Sequence, residues 1–188
     1  MNRFASLTVL GTILLGFSVH AEELQLPPPP KGYSWERCEE IKGAFLRPDG
    51  WNFLKSKKGD TQGYFITKEP AGEGKQFTTG LTVNVITDIP RKKSVTPYRY
   101  AQIFRESARK TEKFTSEWDK AMGPFQSVGF VYIKTDKSGS RTVHNLLIAN
   151  DKTGTLYLVM FEAPADEWDA AWTTGEPILK LLYIDDTI

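Results

Sequence analysis

The sequence predicts an α+β fold in which helices cover a mostly antiparallel sheet and a C-terminal helix packs on that sheet. Three runs rich in branched and aromatic residues, 128–133, 143–149 and 156–161, are separated by short polar turns, which is the pattern of an antiparallel meander. The last two runs are apolar on both faces, so each face of the sheet needs a cover. Two segments with helical spacing, one beginning at Thr96 and one over 165–182, are available for that role.

The N-terminus predicts export. Arg3 precedes an apolar stretch over 5–17, and small residues precede a cleavage point after Ala21, which is the pattern of a secretory signal peptide. This stretch is shorter than the roughly 20 residues that a membrane span needs, and we expect no later segment to span a membrane. We therefore divide the chain into a signal peptide, 1–21, a proline-rich extended arm, 22–34, and a single domain, 35–188.

The arm contains four consecutive prolines, Pro27 to Pro30, which favour an extended polyproline segment without a core of its own. It is either a spacer or a docking arm, because a preformed polyproline segment loses little entropy on binding. After the arm we expect a helical turn over 34–40 and a first strand over 41–46. A turn at 48–50 then predicts that 51–54 is the partner of this strand.

The middle of the chain predicts further strands at 63–67 and 80–87, after a polar, glycine-bearing turn over 55–62. A helix follows, with Thr96 as its N-cap and Pro97 at its first position. Residues 113–122 fit either a loop or an irregular strand.

The C-terminal helix carries its apolar residues at spacings of three and four. Aspartate and glutamate in its first turn suit the positive end of the helix dipole. Because Pro177 lacks a backbone N–H, we expect the helix to kink or restart there. The residues of the apolar stripe are Trp168, Trp172, Gly175, Leu179 and Leu182.

One turn of the meander imitates an enzyme motif. Residues 151–155, Asp-Lys-Thr-Gly-Thr, match the phosphorylated-aspartate motif of P-type ATPases, which also needs Mg²⁺, a nucleotide domain and membrane spans. Residues 136–140, Asp-Lys-Ser-Gly-Ser, have the same pattern and also lie between two predicted strands. We interpret both as turns in which aspartate begins the reversal and glycine takes a positive φ.

This order of elements resembles the PsbP/Mog-type family over residues 41–182. The similarity rests on a Pro-x-Gly-Trp turn at 48–51, a Thr-Gly-Leu-Thr-Val-Asn-Val-Ile strand at 79–86, the meander and the closing helix. It implies an α/β/α sandwich with a central, mostly antiparallel sheet of about six or seven strands. Members of the family include an extrinsic subunit of photosystem II, other lumenal or exported proteins and a binder of a small nuclear GTPase. Its better-known roles are not enzymatic.

Charge is unevenly distributed along a chain whose formal net charge is only +1. Segment 91–113 has eight basic and two acidic residues, whereas 162–188 has seven acidic and one basic. The basic segment is either a solvated face or a docking surface, and export disfavours nucleic acid as its partner. The candidate docking residues are Arg91, Lys92, Lys93, Arg99, Arg105 and Arg109.

Few residues suggest chemistry. His144 is a possible general base but fits a hydrogen-bonded structural histidine better, and Cys38, the only cysteine, is either a nucleophile paired with His144 or an idle thiol. Trp35, Trp51 and Trp118 are candidate groove aromatics. No calcium-type loop is present, and we predict no metal and no cofactor.

The leading functional hypothesis is an exported, non-catalytic binding or assembly-factor domain, periplasmic or secreted, or lumenal in a photosynthetic organism. Its partner would be a protein, and the sequence specifies neither that partner nor the oligomeric state. The alternatives are a small-ligand carrier with an apolar groove between sheet and helix, and a hydrolase or transferase that uses His144 or Cys38.

Overall fold

A seven-stranded antiparallel sheet and a separate two-stranded hairpin form the fold. The computed structural model describes residues 25–70, 72, 77–137 and 139–188, so the predicted signal peptide lies outside the described residues. The hairpin pairs β1 with β2, and the large sheet has the order β3-β4-β5-β9-β8-β7-β6. The strands are β1 (Tyr33–Cys38), β2 (Gly43–Pro48), β3 (Asn52–Lys58), β4 (Thr61–Thr67), β5 (Gly80–Ile86), β6 (Phe114–Met122), β7 (Phe125–Asp136), β8 (Gly139–Asn150) and β9 (Thr155–Pro164).

Helices lie on both faces of the large sheet, which confirms the predicted α+β sandwich. They are α1 (Ile89–Lys93), α2 (Pro97–Ala108) and α3 (Trp168–Lys180). On one face α2 packs on β7, β8 and β9. On the other face α3 packs on β9 and against β2 of the hairpin. Among the described residues no helix has both the length and the hydrophobicity needed to cross a bilayer.

The predicted meander is confirmed as β7, β8 and β9. Leu147 of β8 is paired with Val128 on one side and Leu158 on the other. Because β8 alternates buried residues toward both helix layers, Leu147 belongs to the cluster under α2 and Ile148 to the cluster under α3. The apolar character of both faces thus reflects a central strand with helices above and below it.

Pairing of β9 with β5 joins the meander to the N-terminal strands. Val83 lies opposite Val159, and Leu81 lies opposite Phe161. All four side chains are buried, with at most 1% of their surface exposed. These pairs join residues 76 and 80 positions apart in the sequence and create one core under α3 from both halves of the sequence.

Two expectations for the N-terminal segment are wrong. Residues 34–40 were expected as a helical turn, but most of them belong to β1, where Trp35 lies opposite Leu46, and only Glu39–Ile41 form a 3-10 turn. Residues 51–54 were expected to pair with the first strand, but Phe53 of β3 lies opposite Ile66 of β4. Tertiary pairing decided both cases, because a short strand has little preference of its own.

The polar segment 55–62 is mostly strand rather than turn. Lys55, Lys57 and Lys58 continue β3 to its end, and the reversal needs only Gly59 and Asp60. β3 is the edge of the sheet, and its exposed lysines suit that position because charged edges oppose pairing with other chains.

The predicted start of α2 is confirmed. The Thr96 side chain accepts a hydrogen bond from the Arg99 amide at 3.2 Å, and Pro97 occupies the first helical position. The ambiguous segment 113–122 is β6, with a bulge between Phe114 and Ser116. The sequence reasoning missed α1, a five-residue helix that precedes α2.

The C-terminal helix is shorter than predicted and is not interrupted at Pro177. It ends at Lys180, and the Leu181 amide donates to the Pro177 carbonyl at 3.1 Å. The residues after it return to the hairpin, where Ala44 and Tyr183 exchange two backbone hydrogen bonds of 2.9 and 3.0 Å.

Gly175 sets how closely α3 approaches the sheet. A Cβ atom added there would come within 2.5 Å of the Phe161 ring, so we expect Gly175→Ala to lower the free energy of unfolding by about 1–3 kcal/mol. In an exposed helix the same change stabilises by about 1 kcal/mol. Urea denaturation measures the difference, and Gly175→Ala combined with Phe161→Leu should recover part of the loss. A Gly175→Ala variant as stable as the native protein would contradict this close contact.

Candidate functional site

The predicted docking residues of α2 are engaged in ion pairs within the molecule. Strand β6 places Glu117 and Asp119 on the side that faces α2. Arg105 forms two hydrogen bonds with Asp119, at 2.7 and 3.2 Å, and its side chain is only 14% exposed. Its Nε also lies 3.8 Å from a carboxylate oxygen of Glu117, which bonds Arg109 as well. These arginines therefore hold α2 to β6.

Arg99 is paired along its own helix, with Nη1 at 3.1 Å from a carboxylate oxygen of Glu106 and at 3.2 Å from the Gln102 side chain. About half of each charged side chain in this pair is exposed. Exposed pairs of this kind contribute little stability, about 0.2–1 kcal/mol. Arg99 thus remains reachable by solvent, but its charge is partly offset.

The other three predicted docking residues lie in α1. Arg91 forms an ion pair with Asp88 but keeps 76% of its side chain exposed. Lys92 is 3.1 Å from Asp60 in the β3–β4 turn and donates to the Thr87 carbonyl at 2.8 Å. Lys93 has its ammonium group 5.7 Å from the centre of the Tyr100 ring.

Three turns meet at this end of the sheet. The strand registers place the β3–β4 turn, the β5–α1 connection and the β8–β9 turn at the same end of the antiparallel strands. The Ile89 amide donates to the Gly154 carbonyl at 2.9 Å, which ties α1 to the β8–β9 turn. The Lys92–Asp60 pair ties α1 to the β3–β4 turn. We call the surface formed by the basic residues of these turns the basic end, which comprises Lys57, Lys58, Arg91, Lys92, Lys93 and Lys152.

The basic end has more positive charge than its own carboxylates offset. Its acidic residues are Asp60, Asp88 and Asp151, and Asp186 is close by, because its backbone carbonyl accepts a hydrogen bond of 2.8 Å from the Asn150 side chain at the start of the β8–β9 turn. Among the described residues Lys57, Lys58 and Lys152 have no ion-pair partner within 4 Å. Sequence reasoning missed these three lysines because they lie far along the chain from 91–93, and no local signal could have joined them.

The enzyme-like segment 151–155 forms a turn, as predicted. Its aspartate has a structural role, because Asp151 accepts a hydrogen bond from the Tyr98 amide at the start of α2 at 2.8 Å. Gly154 has φ of +77°, and its amide donates to the Asn150 carbonyl at 2.9 Å. Its counterpart at 136–140 is shorter, since Asp136 and Gly139 are themselves a strand pair; residue 138 lies outside the described residues. The carboxylate of Asp151 therefore caps a helix.

His144 lies in an aromatic stack. Its ring centre is 4.8 Å from that of Trp172 and 5.2 Å from that of Trp118. Its buried Nδ1 has no hydrogen-bond partner among the described residues. Burial lowers the pKa of His144 to about 4, so the ring is neutral near pH 7. In the described part of the chain, no acidic or nucleophilic side chain is hydrogen-bonded to this nitrogen, as a general base would require.

Cys38 is fully buried at the end of β1, with Sγ 3.8 Å from the Glu36 carbonyl. Burial raises the pKa of its thiol to about 12, so the thiolate is scarcely populated at neutral pH. The charged side chains that act on it, Lys55 and Glu40, lie near β3, whereas His144 is on β8 with three strands between. The structure does not bring Cys38 and His144 together.

Trp118 lies far from the other two candidate groove tryptophans, Trp35 and Trp51, which pack on the same core cluster. Trp51 directly precedes β3 at one edge of the sheet, and Trp118 is on β6 at the other edge. Trp118 lies over Gly129, where an added Cβ would be 2.0 Å from the indole ring. Trp35 donates its indole N–H to the Pro27 carbonyl at 2.7 Å.

Aromatic side chains fill the space between α3 and the sheet, which is where the small-ligand alternative requires an apolar groove. The Phe161 ring packs against Trp168 and Trp172 with ring centres 5.8 and 5.9 Å apart, and the two tryptophans stack at 5.2 Å. Together with the contact at Gly175, this packing leaves no room for a ligand there. No group of three or more His, Cys, Asp or Glu side chains converges in the described part of the chain in a way that could hold a metal ion.

These features define an antiparallel α+β sandwich with a charged end and a packed interior. Comparison of the sequence finds no matching protein-family model and no matching curated protein. Comparison of the structure does find similar folds. The chain resembles CyanoP, the cyanobacterial PsbP protein of Synechocystis, with a TM-score of 0.55 and 11% sequence identity over 82% of this chain and 93% of that chain.

Two further solved structures are similar at lower scores. The Ran-binding protein Mog1p of Saccharomyces cerevisiae matches with a TM-score of 0.49 and 10% identity over 81% of this chain and 95% of that chain. LpqN of Mycobacterium tuberculosis, involved in cell envelope biogenesis, matches with a TM-score of 0.47 and 14% identity over 75% of this chain and 82% of that chain. The chain has a PsbP/Mog-type fold, which confirms the resemblance predicted from the sequence.

The buried histidine predicts a specific pH dependence of stability. The unfolded chain protonates His144 near its ordinary pKa of 6.5, whereas the folded protein keeps it neutral down to about pH 4. The unfolded state therefore binds more protons in this window, and the free energy of unfolding should fall by about 2 kcal/mol from pH 7 to pH 5. In His144→Phe this histidine-dependent loss should be absent, and stability at pH 7 should be retained or higher because no buried nitrogen lacks a partner. Urea titrations at both pH values test this; an equal pH dependence in both proteins would refute it.

Arg105 and Arg99 should differ as sites of charge reversal. Arg105→Glu places a third carboxylate against Glu117 and Asp119 in a mostly buried position, so we expect a loss of roughly 2–4 kcal/mol in the free energy of unfolding. Arg99→Glu, the matched control on the same helix, should change it by less than about 1 kcal/mol. Thermal and urea denaturation would show the contrast, and equal effects would mean that Arg105 does not hold α2 to β6.

Proposed function

We propose that this chain is an exported, non-catalytic binding or assembly-factor domain that contacts an acidic surface of a partner protein through its basic end. The main support for this proposal is the contact of 3.1 Å between Lys92 and Asp60, because it brings the lysines of the β3–β4 hairpin next to those of α1. The protein as a whole is almost neutral, so attraction of an acidic partner has to arise from such a local surface.

The paired arginines of α2 support this choice of surface. Arg105 and Arg109 have carboxylate partners on β6, so less of their charge is available to another molecule. Lys57 and Lys58 are exposed and have no such partner among the described residues. The proposed docking surface therefore keeps Arg91, Lys92 and Lys93 from the sequence prediction and replaces the arginines of α2 by lysines of two turns.

A non-catalytic role is supported by the positions of the reactive side chains. The neutral, stacked ring of His144 and the buried thiol of Cys38 lie in different parts of the fold. The aspartate of the enzyme-like motif is bonded to the start of a helix. Export, to a periplasm, a lumen or the exterior, is supported by the signal-peptide pattern at 1–21.

Charge reversal at the basic end tests the proposal. One variant changes Lys57, Lys58, Arg91 and Lys93 to Glu. The matched control reverses four exposed lysines at the opposite end of the sheet, Lys110, Lys113, Lys134 and Lys137, and so has the same net charge. Both proteins, and the native one, serve as baits for the native exported fraction at low and at moderate salt, with bound proteins identified by mass spectrometry.

We expect the basic-end variant to capture its specific partner at least roughly tenfold less, because several charge contacts of the interface are lost together. Capture by the native protein should weaken with salt, while the control variant should behave like the native protein. Equal losses in both variants, or a capture independent of these residues, would refute the basic end as the docking surface.

A further inference from the structure

The proline-rich arm folds back on the domain. The Tyr33 amide donates to the Pro30 carbonyl at 3.1 Å, and Gly32 takes φ of +86°, so residues 30–33 form a tight reversal. A positive φ at the third position of such a turn is the conformation that glycine favours. The reversal sends the arm back beside β1, which in the described part of the chain pairs with β2 and with no other strand.

Trp35 of β1 meets the arm. Its indole N–H donates to the Pro27 carbonyl, with Nε1 and the oxygen 2.7 Å apart. The indole N–H is a donor only, and a proline carbonyl is an acceptor only, so the two groups are complementary. The contact joins residues eight positions apart, which the turn at 30–33 makes possible.

The chemistry of this contact is that of polyproline recognition. Consecutive prolines fix φ near −65°, have no backbone donor and present their carbonyls to solvent in a polyproline II helix. Aromatic residues that bind such segments gain from this preformed, low-entropy ligand. In this protein the ligand is part of the same chain.

The contact is shallow. Pro27, Pro28 and Pro29 are exposed, and only Leu26 and Pro30 are partly buried. One hydrogen bond between neutral groups shifts the equilibrium between the released and the docked arm by about a factor of two to ten. The arm stays in place chiefly because it is attached, which gives it a high effective concentration at Trp35.

We propose that Trp35, with β1 beside it, is a binding site for a polyproline II segment, that residues 25–30 occupy it in cis, and that a proline-rich segment of a partner protein displaces the arm. The site lies by the start of β1 and the β2–β3 turn, at the end of the sheet opposite the basic end. It is therefore independent of the proposed docking surface, and either proposal can fail alone.

The test uses the full chain with the arm made flexible. A fourfold variant frees the site and keeps the length of the arm. Its substitutions are Pro27→Gly, Pro28→Ser, Pro29→Gly and Pro30→Ser. The ligand is a synthetic peptide of residues 25–32, Gln-Leu-Pro-Pro-Pro-Pro-Lys-Gly, and the control peptide has alanine at all four proline positions. The readout is the ¹⁵N–¹H signal of the Trp35 indole, assigned among the five tryptophans by its absence in Trp35→Phe.

We expect the indole signal to shift when the arm is made flexible and to return toward its native position when the proline peptide is added. The alanine peptide should bind at least about fivefold more weakly, because it loses the preformed conformation. In the native chain the proline peptide should bind more weakly than in the flexible-arm variant, since the arm competes. An unchanged indole signal in the flexible-arm variant would overturn the proposal. Equal binding of both peptides would overturn it as well, because that result indicates addition of the peptide as a strand to β1.

A second variant keeps the arm intact. Trp35→Phe retains an aromatic ring but lacks the N–H, so the ¹⁵N relaxation of Leu26 should report a more mobile arm, while Trp118→Phe, the matched control on β6 at the far edge of the sheet, should leave it unchanged. Equal mobility of Leu26 in the native protein and in Trp35→Phe overturns the site.

Sedimentation tests whether a second copy of the chain occupies the site. A dimer that forms with Trp35 and disappears in Trp35→Phe would assign the site to the arm of a second copy and overturn the role of a partner protein.

Discussion

The antiparallel pairing of β5 with β9 joins the two halves of this protein, and the rest of the structure depends on it. Without that ladder, β3, β4 and β5 would form one small sheet, and β6 to β9 another. With it, Val83 and Val159 lie in one buried layer, on which α3 and the hairpin pack. Each such side chain contributes roughly 1.5–3 kcal/mol when it is buried. The pairing also closes a long loop, whose entropy cost the many contacts of a wide sheet can offset.

The same ladder explains where charge collects. Because neighbouring strands are antiparallel, the β3–β4 turn, the β5–α1 connection and the β8–β9 turn come to one end of the sheet. Their lysines and Arg91 then form the basic end, with Asp60 as the link between two of the turns. On the face of the sheet that α2 covers, the carboxylates of β6 form ion pairs that hold α2 in place. The arginines of α2 at 105 and 109 are therefore paired with β6, whereas basic residues that are far apart in the sequence lie together at the basic end.

Much of the fold could be predicted because its signals are local. The threonine and proline at the start of α2, the alternation in β5 and the three runs of the meander each specify one element, and all are present. The repeated turn pattern also identified 151–155 as a reversal, although the bond from the Tyr98 amide to Asp151 is a contact between distant segments. Errors fall where the local signal is weak, at the N-terminal hairpin, at 55–62 and at α1; β1, for example, is a strand only because β2 pairs with it.

The candidate site was less predictable than the fold. The basic segment at 91–113 is evident in the sequence, but the fate of each charge depends on its neighbours in space: Arg105 is mostly buried against Asp119, whereas Arg91 is largely exposed. The sequence by itself determined β4, β5, α2, the meander, the closing helix and the presence of a polyproline segment, because hydrophobic period, proline and glycine act on their immediate neighbours. Only the tertiary structure decided which strands pair, which charges remain available and that the arm lies on Trp35, because these outcomes depend on contacts between residues that the folded sheet brings together.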